Sequence, residues 1–269
     1  MDLQLQQHVV VVTGGASGIG RAIAEGFAAE KASVAIWDVS KSVEVVAREI
    51  ALKFTVPAVG LTVDITDEAQ VKTAASQTES RLGSVQHLAH AAAIGSGKFG
   101  FPFTNLSPAD WRRTLDVNIM GMVHVAHALA PHMVNRRDGT LVFLGSVAGQ
   151  IGSQTDPPYS AAKAAGINFA QCMAKDLAPH GVRVNTVNPG MVQTPLNQSV
   201  WKAWHDSQPP ELRRSYEDWA SEKVSKIVPL GRWQQPRDIA DMVVFLSSSR
   251  AEQVTGQTIN VDGGYVMHW

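Results

Sequence analysis

Two spacings of apolar residues alternate along the chain from one end to the other. Short, continuously apolar and Val-rich segments are typical of strands buried on both faces of a parallel sheet. These segments are 8–13, 33–37, 57–63, 85–90, 139–144, 182–187 and 257–261. Longer segments with helical spacing lie between them, at 19–30, 40–53, 67–81, 108–135, 158–178 and 236–248. This alternation predicts an α/β fold with a doubly wound, mostly parallel sheet of seven strands and helices on both faces.

Residues 195–229 depart from this alternation, because their periodicity is weak. Their aromatic and imidazole side chains belong to Trp201, Trp204, His205, Tyr216 and Trp219. A long aromatic segment late in an α/β chain is typical of a lid over a binding site, and a helical pair packed on the surface is the alternative. Because no repeat or long linker divides the chain, we predict one domain over residues 1–269 with a substrate lid at about 195–229.

The composition restricts the class of protein. Hydrophobic residues make up 45% of the 269 residues, enough for a large core and too many for a disordered chain. The net charge of −1 excludes the basic surface that nucleic-acid binding requires. The single cysteine, Cys172, excludes a disulfide framework and a cysteine-based metal site. No apolar run reaches the length of about 18 residues typical of a membrane span, and the N-terminus lacks a basic, apolar leader, so we predict a cytoplasmic protein without a membrane partner.

A glycine-rich turn follows the first predicted strand. It reads Thr-Gly-Gly-Ala-Ser-Gly-Ile-Gly over residues 13–20 and leads directly into the first predicted helix. Its glycines allow a tight turn and let the backbone approach a pyrophosphate, which then lies at a helix N-terminus. The spacing differs from the common dinucleotide fingerprint, and the Gly-Lys-Ser/Thr ending of a nucleoside-triphosphate loop is missing. Together with an acidic residue 18 positions after Gly20, the turn predicts a dinucleotide-binding site.

Asp38 is that acidic residue, and it follows the second predicted strand. Its carboxylate can accept hydrogen bonds from adenosine ribose hydroxyls, and the same charge repels a ribose 2′-phosphate. Ala16, Ser17 and Val39 offer no compensating cation, so we predict NAD rather than NADP. The alternative is that Asp38 only caps the next helix. Asp64, after the third strand, is a candidate partner for the adenine amino group, although its Asp-Ile-Thr-Asp context also fits a helix-capping turn.

Tyr159 and Lys163 are candidates for proton transfer, since they lie four positions apart on one helical face. A free tyrosine has a pKa of about 10, and a nearby ammonium plus the positive ring of an oxidised nicotinamide would favour the phenolate. An inert helix face is the alternative. Ser146 ends the fifth strand region 13 positions before Tyr159 and can orient a substrate oxygen. Asn118 lies inside a predicted helix, where asparagine is unfavourable, and its amide can hold water for a proton path.

With these residues, the chain resembles the short-chain dehydrogenase/reductase family over essentially its whole length. The family's Thr-Gly-xxx-Gly-x-Gly turn matches residues 13–20, and its Pro-Gly motif after the sixth strand matches 188–190. The C-terminal stretch 256–264 also fits. The family's Asn–Ser–Tyr–Lys catalytic set falls on Asn118, Ser146, Tyr159 and Lys163. The resemblance implies a single-domain Rossmann fold and an NAD-dependent oxidoreductase.

The resemblance also implies a set of cofactor contacts. They are Gly14, Ser17, Gly18, Ile19, Gly20, Asp38, Asp64, Ile65, Ala91, Tyr159, Lys163, Pro189, Gly190, Val192 and Thr194. Two departures from the family pattern stand out. Where the family usually has Asn-Asn-Ala-Gly, this chain has His-Ala-Ala-Ala at 90–93, so His90 is expected to replace one asparagine hydrogen bond without a catalytic role. The loop 95–105 looks a few residues longer than usual and is expected to reshape the entrance.

The predicted function is the interconversion of a secondary alcohol and a ketone by hydride transfer to or from NAD, with Tyr159 exchanging the hydroxyl proton. Polar residues between Ser146 and Tyr159 favour a small polyol, sugar or sugar acid. The predicted substrate contacts are Ser146, Gln150, Gln154, Tyr159, Trp201 and His205. The alternatives are a dehydrogenase of simple secondary alcohols, an enzyme like the 3-oxoacyl reductases, and an NAD-sensing regulator without catalysis. The presence of all four catalytic residues disfavours the regulator.

Two other clusters of polar residues do not predict a binding site. Three histidines share one predicted helix without an acidic neighbour at zinc-binding spacing, so no metal is expected. They are His124, His127 and His132. The acidic segment 217–222 beside Lys223 and Lys226 is typical of a solvated helix face.

The small residues of 161–166 predict a smooth helix surface suited to close packing. The resembled family commonly uses this helix to form dimers and tetramers. The charged fraction of 17%, against about 25% in typical soluble domains, also favours surface buried between subunits. We therefore predict a homo-oligomer, as a dimer or homotetramer.

Overall fold

The computed structural model describes residues 2–153 and 155–267. One sheet of seven strands runs through this part of the chain. The strands are β1 Val9–Thr13, β2 Ser33–Asp38, β3 Ala58–Thr62, β4 His87–His90, β5 Gly139–Leu144, β6 Val182–Pro189 and β7 Thr258–Val261. Their order is β3-β2-β1-β4-β5-β6-β7, and every neighbouring pair is parallel. The predicted doubly wound parallel sheet is confirmed.

The helices follow the predicted segments with a few shifts at their ends. They are α1 Gly18–Ala29, α2 Val43–Phe54, α3 Glu68–Leu82, α4 Ala109–Leu115, α5 Gly121–Arg136, α6 Pro157–Leu177, α7 Pro195–Ser207, α8 Tyr216–Ile227 and α9 Pro236–Ser247. The helix predicted over 108–135 contains a π turn at Asp116–Met120, which separates α4 from α5. This π turn includes Asn118, the residue that is unfavourable in a regular helix.

Alternate side chains of the strands bury two hydrophobic clusters, one on each face of the sheet. In β1, Val10 and Val12 belong to the cluster that includes α1, α2 and α9. Val9 and Val11 belong to the cluster that includes α3, α5 and α6. This division follows from the two-residue period of a strand. Helices therefore cover both faces of the sheet, as the apolar, Val-rich strands predict.

The strand order reverses beside β1, which lies between β2 and β4. At the same edge of the sheet, the carboxyl ends of neighbouring strands bring together Thr13, Asp38, His90 and Leu144. A crevice at such a reversal point is where open α/β sheets bind their ligands. The fold thus gathers the candidate residues of several distant segments at one edge.

Residues 195–229 form a helical pair, α7 and α8, joined through a short 3₁₀ turn at Pro210–Leu212. A separate small hydrophobic cluster holds the pair together. Its buried members are Met191, Tyr216, Trp219 and Ala220. Across residues 2–153 and 155–267, no helix is long and apolar enough to cross a lipid bilayer.

Candidate active site

The glycine-rich turn after β1 has the geometry of an anion cradle. Gly14 has a φ of +67°, and a Cβ there would lie 2.7 Å from the Cα of Ala92. A Cβ on Gly20 would lie 2.1 Å from the carbonyl oxygen of Gly14. Ser17 is the N-cap of α1, so the first N–H groups of this helix have no partner within it and face the end of the turn. The glycines are needed for close backbone approach, and the positive end of the α1 dipole favours a phosphate.

The carboxylate of Asp38 is tied to this turn. Its Oδ2 accepts a hydrogen bond from the backbone N–H of Ala16 at 3.0 Å, and its Oδ1 accepts one from the N–H of Ser40 at 2.9 Å. The alternative that Asp38 caps α2 does not hold, because the N-cap of that helix is Ser42. Among the described residues, no Lys or Arg nitrogen lies within 4 Å of the Asp38 carboxylate. The negative charge therefore stands without a paired cation beside the turn.

Asp64 and Asp67 lie in the turn before α3, for which the sequence leaves an adenine contact and a helix cap as alternatives. Oδ1 of Asp64 accepts hydrogen bonds from the N–H and the hydroxyl of Thr66, at 2.9 and 2.7 Å, and these bonds lower the pKa of Asp64. Asp67 caps α3 by accepting from the N–H groups of Ala69 and Gln70. Asp64 shapes the turn before the helix, and it also lines the cavity described below.

Tyr159 lies in the first turn of α6, beside the end of β5. Asp156 caps this helix, and its Oδ1 accepts from the N–H of Tyr159. Tyr159 and Ser146 line the same cavity, described below. The Oγ of Ser146 accepts from the N–H of Ala148 at 3.1 Å. Burial raises the pKa of Tyr159 to about 12, and the neighbouring hydroxyl of Ser146 acts in the opposite direction. The phenol is therefore protonated at neutral pH in the protein alone.

Lys163 is buried one turn further along α6. Its Nζ lies 5.5 Å from the centroid of the Tyr159 ring and donates a hydrogen bond to the carbonyl oxygen of Leu144 at 2.6 Å. Burial lowers the pKa of Lys163 to about 8. In the protein alone, loss of water around the phenol dominates the pKa of Tyr159. That Lys163 and an oxidised nicotinamide ring together favour the phenolate stays a prediction for the loaded enzyme.

Asn118 ties the π turn to the loop after β4. Its Oδ1 accepts from the N–H of Ile94 at 2.9 Å, and its Nδ2 donates to the carbonyl oxygen of Ile94 at 2.8 Å. Both ends of the amide thus bind one backbone residue. That Asn118 supports a water path for protons stays a prediction. Asn118 does not line the large cavity, but it lines a smaller one together with His90 and Lys163.

His90 is a buried histidine at the end of β4. Its Nδ1 lies 3.0 Å from the hydroxyl of Thr13, so it supplies a side-chain hydrogen bond where the family pattern has asparagine. Its Nε2 has no hydrogen-bond partner among the described residues. His90 also lines the smaller cavity, whose volume is about 10 Å³. That volume corresponds to about one water. Burial lowers the pKa of His90 to about 3, so the ring is neutral.

A cavity of about 640 Å³ connects the glycine-rich turn with Tyr159 and the helical pair. Most residues predicted from the sequence line it. These are Gly14, Ser17, Gly18, Ile19, Gly20, Asp38, Asp64, Ile65, Ala91, Ser146, Tyr159, Lys163, Pro189, Gly190, Val192 and Thr194. Residues at or just after the ends of six strands, β1 to β6, and residues from α1 and α6 therefore share one space. Its size is that of a site for a cofactor and a small substrate together.

Trp201 and His205, two of the predicted substrate contacts, do not line this cavity. The indole N–H of Trp201 donates to the carbonyl oxygen of Arg214 at 3.1 Å, and the ring packs against His205 and Tyr216. These contacts join α7 to the segment before α8 and to the first residue of α8. Gln150 is also absent from the cavity wall. Gln154 lies outside the described residues.

Several wall residues were missed by the sequence analysis in this role. They are Arg113, Met191, Asn197, Val200, Lys223, Ile227 and Tyr265. On α8, Trp219, Lys223 and Ile227 recur every four residues and therefore lie on one face of the helix. That spacing was readable in the sequence, but the side of the helix that meets the cavity was not.

The fold and the site together define the class of protein: a doubly wound α/β protein with a nucleotide-binding turn and a Ser–Tyr–Lys cluster on one cavity. The sequence model described as Enoyl-(Acyl carrier protein) reductase matches residues 14–266. The chain belongs to the short-chain dehydrogenase/reductase family, which confirms the resemblance. Oxidoreduction at CH–OH groups with a nicotinamide cofactor follows from this membership.

Relatives span the whole chain. The chain is 36% identical to 2-(S)-hydroxypropyl-CoM dehydrogenase 3 of Xanthobacter autotrophicus, covering 98% of each. It is 32% identical to the 3-oxoacyl-(acyl-carrier-protein) reductase FabG of Thermotoga maritima, covering 98% of this chain and 100% of the relative. Among solved structures, L-sorbose reductase from Gluconobacter frateurii, complexed with NADPH and L-sorbose, has a TM-score of 0.90 and 27% identity, with full coverage of both chains.

Proposed function

We propose that the protein is an NAD-dependent dehydrogenase that interconverts a secondary alcohol and a ketone. The observation that carries this proposal is the placement of Tyr159 and Ser146 on one cavity that also contains the glycine-rich turn. A proton donor and a hydroxyl that positions the reacting oxygen are what reduction of a ketone requires from the protein. The same residues serve the reverse reaction.

The residues around the cavity fit a nicotinamide dinucleotide. Gly14 and Gly20 let the turn fold tightly, because a Cβ on either would meet the protein backbone, and the N-terminus of α1 suits the pyrophosphate. Asp38 would accept from the ribose hydroxyls, and its unpaired charge favours NAD over NADP. Val192 and Thr194 would hold the carboxamide. When bound, the cofactor supplies the ring carbon that accepts or releases a hydride.

Each side chain near the reacting oxygen has a distinct role in the proposal. Ser146 donates a hydrogen bond that fixes the oxygen of the substrate. Tyr159, protonated at neutral pH in the protein alone, gives its proton to the ketone oxygen in reduction and takes it back in oxidation. Lys163 favours the phenolate in the loaded enzyme and binds the nicotinamide ribose. Asn118 supports this arrangement by holding the loop after β4 in place.

The substrate we propose is a small hydroxylated molecule such as a polyol, sugar or sugar acid, enclosed by α7 and α8 as a lid. Ser153, Thr155 and Asn197 give the cavity wall polar groups for additional hydroxyls. A site built to pair with hydroxyls strongly rejects analogues that lack them, because its own groups would be left without partners. The structural similarity to L-sorbose reductase supports this class.

A second candidate is reduction of a 3-oxoacyl thioester. Met191, Val200 and Ile227 form an apolar part of the cavity wall that an acyl chain would fill. The likeness to the Thermotoga maritima reductase supports it. The charge of Asp38 disfavours this candidate, because such reductases usually use NADP.

The deciding experiment is a steady-state screen with NAD, NADH, NADP and NADPH. The panel contains polyols, sugars and sugar acids, their matched deoxy alcohols, and acetoacetyl thioesters. We expect turnover with NAD and a polyhydroxylated substrate. Higher efficiency on plain alkyl alcohols would contradict the substrate class, and higher efficiency on thioesters with NADPH would favour the second candidate. NADH binding without turnover of any of them would indicate a regulator.

We further propose that α6 contributes to a dimer or homotetramer. Ala161, Ala164 and Ala165 are exposed on this helix, as a surface for close helix packing would be. Light scattering of the purified protein should give a mass of two or four chains. The mass of a single chain would contradict this proposal.

A further inference from the structure

Helix α8 presents two chemically different faces. Trp219, Lys223 and Ile227 recur every four residues and line the large cavity. On another face, Glu222 forms ion pairs with Arg214 and Lys226, whose side chains are largely exposed. The solvated face predicted from the sequence therefore holds Lys226 but not Lys223. Lys223 belongs to the wall of the site.

Lys223 is a half-buried cation without an acidic partner. Its Nζ lies 4.2 Å from the centroid of the Trp219 ring, which attracts the charge through its face. No carboxylate oxygen of the described residues lies within 4 Å of this nitrogen, whereas Lys226 on the same helix is paired with Glu222. Burial lowers the pKa of Lys223, because the ammonium has lost part of its water. The aromatic contact replaces only part of that hydration.

The surroundings of Lys223 within the cavity are apolar. Trp219 is buried in a cluster with Met191, and Val200 and Ile227 complete this part of the wall. In such a setting a single charge attracts an oppositely charged group more strongly than it would in water. The dinucleotide phosphates have their own candidate cradle at the N-terminus of α1, which is formed by other residues of the cavity wall. The charge that Lys223 offers is therefore available to another ligand.

We propose that Lys223 binds the anionic group of the substrate, a carboxylate or similar monoanionic oxyanion, while Ser146 and Tyr159 hold the reacting oxygen. The substrate is then a hydroxy acid or its keto form, with an apolar portion against Trp219 and Ile227. This assignment deepens the proposed function and rests on it for the identity of the reacting group. The anion site itself does not depend on turnover.

The test is calorimetric binding of paired probes that differ only in charge. The pairs are butyrate with butyramide, cyclohexanecarboxylate with cyclohexanecarboxamide, and benzoate with benzamide, each measured with and without saturating NADH. For at least one pair, we expect the wild type to bind the carboxylate about tenfold more tightly than the amide. Lys223→Gln should reduce that ratio to within about twofold, whereas Lys226→Gln, which changes net charge equally on the same helix, should preserve it.

Two further variants separate charge from packing. Lys223→Met keeps an apolar stem against Trp219 and should lose the carboxylate preference as Lys223→Gln does. Lys223→Arg keeps the cation and should retain most of it. Thermal unfolding of all variants identifies any that is misfolded, and Lys223→Met decides the result if Lys223→Gln does not fold.

Several results would overturn the proposal. They are no carboxylate preference in any pair for the wild type, a preference that survives in both Lys223→Gln and Lys223→Met, and an equal loss in Lys226→Gln. A drop of more than about tenfold in NADH affinity in Lys223→Gln would assign the lysine to the cofactor instead. A failure of the proposed function would give a different result. No alcohol would then be oxidised, but the preference for the carboxylate would still depend on Lys223.

Discussion

The carboxylate of Asp38 accepts a hydrogen bond from the backbone N–H of Ala16, with 3.0 Å between Oδ2 and the nitrogen. The bond joins the end of β2 to the glycine-rich turn after β1. It holds a negative charge at a fixed place on the cavity wall, and no Lys or Arg nitrogen of the described residues pairs with it. We therefore expect the charge of Asp38 to determine the choice between NAD and NADP, because it repels a 2′-phosphate.

Replacing Asp38 should therefore change the choice between NAD and NADP. Asp38→Asn keeps an oxygen that can accept from Ala16 but removes the charge that repels a 2′-phosphate. We expect the ratio of kcat/KM for NAD over NADP to fall by at least about tenfold. Asp67→Asn, which removes an exposed charge at the start of α3, should leave that ratio unchanged. Equal efficiency with both cofactors in the unmodified protein would refute the NAD assignment.

Gly14→Ala should damage both the fold and cofactor binding. The added Cβ would meet the backbone of Ala92 at 2.7 Å, and the φ of +67° disfavours any side chain. We expect the free energy of unfolding to fall by about 1–3 kcal/mol and NADH affinity to fall by at least about tenfold. Urea unfolding and NADH fluorescence measure the two effects. Gly152→Ala is the matched control, since its Cβ would meet nothing within 4 Å. Equal behaviour of the two variants would show that the turn tolerates a side chain.

Lys163→Met should weaken both NADH binding and turnover. It removes the ammonium that lies 5.5 Å from the centroid of the Tyr159 ring and, in our proposal, binds the ribose. We expect kcat/KM to fall by at least about a hundredfold and NADH affinity by about tenfold. Lys175→Met, an exposed position on the same helix, serves as control. If NADH affinity were unchanged, the ribose contact would have to be abandoned.

His90 should make the fold sensitive to acid. Burial lowers its pKa from 6.5 to about 3, so between these values the unfolded chain binds a proton that the folded protein does not. The stabilisation is complete above pH 6.5 and decreases as pH falls toward 3, at about 1.4 kcal/mol per pH unit for each such group. His87, also buried with a pKa of about 3, contributes in the same direction.

The measurement is the free energy of unfolding in urea at several pH values between 6 and 4 (about two units within the window given by these pKa values). His90→Asn should make the slope shallower by about 1.4 kcal/mol per pH unit. His127→Asn, which replaces an exposed histidine, should leave the slope as in the wild type. Parallel curves for wild type and His90→Asn would mean that His90 is protonated in the folded state.

The fold could be predicted because local patterns agree with the sheet. Most strands lie in short segments rich in apolar residues, and in β1 every residue is buried, as a strand covered on both faces requires. The order of the strands then brings Thr13, Asp38 and His90 to one edge. Residues whose roles depend only on a strand end or on the first turn of a helix were therefore predictable.

The part of the site formed by α7 and α8 was not predictable in the same way. Trp201 and Lys223 both lie in amphipathic helices, and the sequence does not say which helix face meets the cavity. Packing of α7 against α8 directs Trp201 to Arg214 and turns Lys223 toward the site. The pKa of Tyr159 in the protein alone was not predictable either, because burial and the direction of the Lys163 ammonium are properties of the packed structure.

The central claim is that Tyr159 exchanges the proton of the reacting oxygen, and Tyr159→Phe tests it most directly. The variant keeps the ring but loses the transferable proton. With the best alcohol of the screen, kcat/KM should fall by more than about a hundredfold, while NADH affinity stays within about twofold of the wild type. Tyr216→Phe, which loses a hydroxyl bonded to Asn197, should cost much less. A Tyr159→Phe enzyme that kept more than about a hundredth of the wild-type activity would contradict the account, because another group would then be the base.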